Sequence, residues 1–125
     1  MGKHVLLVED APIVLRLLEQ ALGKEGYSVI PATDGVEAVK EARQSRPDLV
    51  ILDLNIPKIS GFEVCRILKS EPGLKQVPIV VLTSMDQESN RTKLLALGIQ
   101  AYITKPFNLQ ELLKTVGRLT NGKSP

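Results

Sequence analysis

The chain has 125 residues, 43% hydrophobic and 24% charged, with a formal net charge of +2. That length and balance describe one soluble globular domain with a real core, and the small, scattered basic excess excludes a nucleic-acid surface. Two Phe, two Tyr and no Trp leave little to stack on bases, no apolar run approaches a membrane span, and the one cysteine, Cys65, allows no internal disulfide and reads as a small core residue.

The N-terminus lacks the design of a signal peptide. Leu6 stands where a myristoylation motif beginning at Gly2 needs Ser or Thr, so a cytoplasmic protein is expected. Val5 to Val8 is a short apolar run of the kind a doubly buried strand shows, and Glu9-Asp10 end it. Pro12 suits a helix's first turn, and Ile13, Val14, Leu17, Leu18, Ala21 and Leu22 predict an amphipathic helix to about Lys24. Ser28 to Ala32 is a second strand. Asp34 and Glu37 have capping-box spacing ahead of a helix to about Gln44, with Val36, Val39 and Ala42 expected inside.

Leu49 to Leu52 is a third strand, running straight into Asp53. Phe62, Cys65 and Leu68 place a helix over 61–69, and Glu71-Pro72-Gly73 reads as a turn. Ile79 to Leu82 is a fourth strand closing on Thr83-Ser84. A weaker helix is expected from about Gln87 to Leu97, then a fifth strand, Ala101 to Thr104, ending at Lys105-Pro106. Asn108 and Glu111 again have cap spacing, and Leu109, Leu112, Leu113 and Val116 carry a last helix to about Leu119. Strict alternation of strand and helix implies an α/β fold, a doubly wound parallel sheet of five strands with five helices and right-handed crossovers. Residues 1–120 make the domain and 121–125 a polar tail or the start of a linker.

In a parallel sheet every strand ends at the same edge, where ligands bind near the switch in strand order. The residues just past the strands are Glu9-Asp10, Thr33-Asp34, Asp53, Thr83-Ser84 and Lys105. Three carboxylates, a hydroxyl and an ammonium converge if strands one, three, four and five are neighbours, which leaves the second strand outside the group. Two carboxylates 4 Å apart repel by about 4 kcal/mol at an effective dielectric of 20, so a proton or a cation must relieve them. Oxygen-only ligands favour a hard divalent ion, and Mg²⁺ suits a few carboxylates plus water. Metal, carboxylate and lysine together are a phosphoryl-transfer arrangement, with Asp53 the best nucleophile and the acidic pair better placed to hold the metal.

Alternatives thin out on the same residues. The first loop, Val8 to Pro12, has no glycine to bring backbone amides to a pyrophosphate, and no P-loop or GxSxG elbow occurs. The single His4 begins the first strand, at the far edge, and serves no triad.

Glu9-Asp10, Asp53 with Pro57 and Gly61 behind it, Thr83, and Lys105-Pro106 form an ordered set that resembles the receiver domains of bacterial two-component response regulators, single-domain chemotaxis-type regulators among them. The likeness covers nearly the whole chain. It implies a flavodoxin-like sheet of order 2-1-3-4-5, Asp53 as acceptor of a phosphoryl group from a sensor histidine kinase or a histidine phosphotransfer protein, and Mg²⁺ held by Asp10, Asp53 and the backbone carbonyl of Asn55, with Glu9 helping through a water. It also implies Lys105 on the phosphoryl oxygen, Thr83 and Tyr102 as a coupled switch, and a cis bond at Lys105-Pro106. A downstream protein would read the face of the fourth helix, fifth strand and fifth helix. The chain would be a phosphoacceptor rather than an enzyme, a monomer or weak homodimer, with no direct nucleic-acid or membrane partner. Ile56 replaces the family's frequent Met before that proline, and an apolar Met85, two past Thr83, implies no special acceleration of hydrolysis. An Mg²⁺-dependent phosphatase of the aspartyl-phosphate type wants a second Asp where Asn55 stands, and a flavin carrier wants a hydroxyl loop and aromatics that are absent here.

Overall fold

The computed structural model describes residues 3–84 and 88–121. Its elements alternate as β1 (His4–Val8), α1 (Pro12–Lys24), β2 (Ser28–Ala32), α2 (Gly35–Ser45), β3 (Leu49–Asp53), α3 (Gly61–Ser70), β4 (Ile79–Thr83), α4 (Glu88–Leu97), β5 (Ala101–Thr104) and α5 (Leu109–Asn121). The strands form one parallel sheet in the order β2-β1-β3-β4-β5. Every pairing is parallel and in continuous register, for example Val8 beside Leu52 and Asp53 beside Leu82. Gln87, expected to begin the fourth helix, Met85, and tail residues 122–125 lie outside the described residues. Among the described residues no helix is long and apolar enough to cross a membrane.

Strand alternation sends side chains into two cores. Leu6, Val8, Val50, Leu52, Ile79 and Val81 pack with α2, α3 and α4 on one face. Val5, Leu7, Leu49, Ile51, Val80 and Leu82 pack with α1 and α5 on the other. Burial on both faces explains why these strands read as unbroken apolar runs instead of alternating ones.

Two helices are turned from the expected stripe. In α1, Leu18 and Leu22 are buried while Ile13 is 84% and Leu17 46% exposed, because the core takes the row one residue further along the helix. In α2, Gly35, Ala38, Val39 and Ala42 face the core at helical spacing, and Val36, expected inside, is half exposed. α4 buries Leu94 completely, half exposes Leu95, and has no coherent apolar face. α5 runs past its expected end because buried Thr120 is fastened there, its hydroxyl donating to the Val116 carbonyl at 2.9 Å and lying 3.1 Å from the Tyr27 hydroxyl. The caps stand where the spacing puts them: Glu37 N–H donates to Asp34 Oδ1 at 2.7 Å and Glu111 N–H to Asn108 Oδ1 at 3.0 Å.

The topology sets the site. β3 lies between β1 and β4, with β5 beyond β4, so the residues following β1, β3, β4 and β5 share one edge. β2 is the edge strand opposite β5, and Thr33-Asp34 leave the sheet on the far side of β1.

Candidate functional site

Asp53 is the last residue of β3 and is only 5% exposed, and Glu9, directly after β1, is 1% exposed. Their burial follows from the paired strands that carry them. Lys105, directly after β5, reaches back across the sheet edge, with Nζ 3.0 Å from Glu9 Oε1 and 3.0 Å from Asp53 Oδ2. The remaining carboxylate oxygens are also engaged. Ala11 N–H donates to Glu9 Oε2 at 3.1 Å, and Asn55 N–H donates to Asp53 Oδ1 at 2.9 Å. Glu9 therefore both meets Lys105 and serves the start of α1, where Ala11 offers no side-chain cap.

Asp10 is exposed and completes the group: one oxygen each from Glu9, Asp10 and Asp53 lie within 4.8 Å of one another. Among the described residues, three carboxylates against one ammonium leave a net negative pocket. Burial pushes the Glu9 carboxyl above its ordinary value, against the opposing pull of its hydrogen bond from Lys105. Burial works against the Lys105 ammonium, yet its hydrogen bonds to Glu9 and Asp53 outweigh that and raise it. A second cation at the mouth of the pocket would relieve what Lys105 leaves uncompensated. The donors are all carboxylate oxygens, which fits a hard divalent ion and not a thiolate- or imidazole-loving one.

Thr83 ends β4 and is fully buried, and Lys105 N–H donates to its carbonyl at 2.8 Å, so the ends of β4 and β5 are tied together beside Asp53. Lys105-Pro106 is cis. Tyr102 in β5 is half-buried against the α2-α3-α4 core, with the Arg91 guanidinium of α4 5.2 Å from its ring centre. Behind Asp53, Gly61 N–H donates to the Leu54 carbonyl at 3.0 Å. A Cβ at Gly61 would come within 2.8 Å of the Asp53 carbonyl oxygen, so only glycine lets α3 start this close to the acid.

The structure thus brings Glu9, Asp10, Asp53, Thr83 and Lys105 to one edge, with Tyr102 three residues before Lys105 in β5 and Asn55 bonded to Asp53 through its backbone. Sequence reasoning did not foresee that Lys105 bridges two of the acids directly. It also set the β2 end aside, although Asp34 proves to face the loop after Asp53, its Oδ2 3.4 Å from Lys58 Nζ. Nothing in a lysine's identity signals that contact.

The chain matches the response regulator receiver domain family over residues 5–117. It is 32% identical to the polar-differentiation response regulator DivK of Brucella anthropi, across 93% of this chain and 94% of that one. It is 41% identical to the transcriptional regulatory protein PhoP of Bacillus subtilis, across 90% of this chain but 46% of PhoP, so it spans about half of that relative. Among solved structures, the receiver domain of the Pseudomonas aeruginosa sensor histidine kinase PA1611, described with a magnesium ion coordinated in its active-site cleft, superposes with a TM-score of 0.88 at 31% identity, covering 98% of this chain and all of that one. Chemotaxis protein CheY4 of Vibrio cholerae superposes equally well, TM-score 0.88 at 33% identity, across 95% of this chain and 99% of that one.

Proposed function

The chain belongs to the response regulator receiver domain family, and from that premise we propose that it is a phosphorylation-dependent signalling switch with Asp53 as phosphoacceptor. The observation that carries the reading is the Lys105 ammonium 3.0 Å from both Asp53 and Glu9, with Asp10 completing a compact acidic pocket.

The donor is a phosphohistidine on a sensor kinase or phosphotransfer protein. An Asp53 carboxylate oxygen attacks phosphorus, the P–N bond to the imidazole breaks, and the imidazole leaves with the bonding electron pair and takes up a proton. Glu9, Asp10, Asp53 and the Asn55 carbonyl would hold Mg²⁺, which supplies neutralising charge for the phosphoryl oxygens. The chain's own residues do the rest. Asn55 N–H holds Asp53 Oδ1, Lys105 stands ready to move from carboxylate to phosphoryl oxygen, and the Thr83 hydroxyl accompanies that oxygen. The phosphatase alternative is not favoured, because Asn55 occupies the position of its second acid.

The output is the face of α4, β5 and α5, read by a protein partner. α4 is the element built to move, since among its described side chains Leu94 alone is fully buried. Hydrogen exchange with and without acetyl phosphate and Mg²⁺ tests the switch. Altered protection within residues 88–105 in the wild type, absent in Asp53→Asn, is expected. Identical exchange in both states removes the reading.

A further inference from the structure

The loop from Leu54 to Ser60 carries an unusual turn. Lys58 has φ of +75°, and the Ile59 N–H donates back to the Pro57 carbonyl at 3.0 Å, a three-residue γ-turn with its centre in the left-handed region. A lysine there is strained, and such strain persists only where the surroundings hold it. What holds it comes from the edge strand β2. The Gly35 N–H, first in α2, donates to the same Pro57 carbonyl at 3.1 Å. A Cβ at Gly35 would collide with the Ile59 carbonyl and side chain, so the start of α2 lies directly on the turn. Asp34 divides its carboxylate: Oδ1 caps α2 through Glu37 N–H, and Oδ2 faces Lys58 Nζ at 3.4 Å. The Glu37 N–H, and after it Lys58, hold that carboxyl below its ordinary range.

We infer that Asp34, Gly35 and Lys58 are positioning residues for the phosphorylation site, a brace from the end of β2 that fixes the loop presenting Asp53 and the Asn55 backbone to a divalent cation. The inference rests on the Mg²⁺-dependent reading above. The path is short: the braced turn leads back through Asn55, whose N–H orients Asp53 Oδ1 at 2.9 Å, and forward to Gly61, whose N–H closes on Leu54 at 3.0 Å. None of the three residues touches the reacting atoms. A surface ion pair of this kind adds little to global stability. Its effect is on the shape of one loop, and partners one step behind a metal's ligands commonly change affinity tenfold or more.

Titration calorimetry with MgCl₂ and the amide shift of Asn55 on adding Mg²⁺ test this on the full chain. Lys58→Ala and Asp34→Asn, the latter keeping the cap acceptor, should each raise the Mg²⁺ dissociation constant by about tenfold. The double variant should be no worse than either single one, Lys58→Arg should retain wild-type affinity, and the thermal midpoint in EDTA should barely move. Wild-type Mg²⁺ affinity in both single variants overturns the brace while leaving the phosphoacceptor reading intact. A shift confined to the EDTA midpoint overturns it as well, by showing a purely structural role. A wild-type chain that binds no Mg²⁺ takes both readings down together.

Discussion

Replacing Lys105 with Met removes its ammonium from the acidic pocket while keeping most of its apolar stem. At 3.0 Å from Glu9 and 3.0 Å from Asp53, each attraction is worth about 5.5 kcal/mol gross at an effective dielectric of 20. Desolvation of the ammonium consumes much of that, and deleting one partner of a buried pair typically costs about 3–5 kcal/mol net. Lys105 is 21% exposed, which argues for the low end, about 3 kcal/mol. Glu9 and Asp53 then face each other and Asp10 within 4.8 Å, where each pair repels by about 3.5 kcal/mol on the same basis. In EDTA at pH 8 the variant should melt about 10 °C below wild type.

The pH dependence gives a second handle. Glu9 already sits above its ordinary value of 4.5 through burial, and losing the Lys105 hydrogen bond raises it further. A carboxyl raised on folding makes the native state hold its proton longer, so stability falls as pH rises from the ordinary value through the folded one. The variant's deficit should therefore shrink toward pH 5. Saturating Mg²⁺ should narrow it too, by about 1.4 kcal/mol for each tenfold by which the variant, freed of the competing ammonium, binds the ion more tightly than wild type. Urea or thermal melts at pH 5 and pH 8, with and without Mg²⁺, measure all of this. A variant as stable as wild type at pH 8 in EDTA would refute the electrostatic account of the pocket.

Three further outcomes follow from named contacts. Burial pushes the Cys65 thiol up to about 12, so iodoacetamide should label it only as the chain unfolds, and rapid labelling of native protein would contradict its place in the core. Gly61→Ala forces a methyl against the Asp53 carbonyl and should cost about 1–3 kcal/mol in a urea melt, and a neutral result would mean that α3 does not need its close start. Arg91→Ala removes a cation over the Tyr102 ring worth about 0.5–1 kcal/mol at an exposed site, so amide exchange in α4 should quicken about twofold to fivefold with little change in global stability. Unchanged α4 exchange would show that the contact holds nothing.

Much of this architecture is legible in the chain because the strands are buried on both faces. Leu49 to Leu52 and Ile79 to Leu82 read as strands since no polar residue interrupts them, and Asp53 and Thr83 mark where each leaves the core. The resemblance supplied the strand order, which periodicity alone leaves open. Helix facing was less legible. α1 offers more apolar residues than its core face accepts, so Ile13 and Leu17 looked interior until Leu18 and Leu22 were seen to fill it. α2 packs through Gly35 and Ala38, small residues with weak hydrophobic signal, and leaves the bulkier Val36 outside. At the site, the acids and the lysine announce themselves by type and position. The bridge from Lys105 to Glu9 depends on how far a flexible stem reaches across the sheet edge, and the Lys58 turn on a positive φ that no lysine advertises.

The central claim is chemical, and mass measurement reaches it directly. Wild type and Asp53→Ala are each incubated with acetyl phosphate and Mg²⁺ and then weighed intact; the wild type alone should gain one phosphoryl group, and it should gain none when EDTA replaces Mg²⁺ in the incubation. A phosphoryl adduct on Asp53→Ala, or none on the wild type, would contradict the assignment of Asp53 as the acceptor.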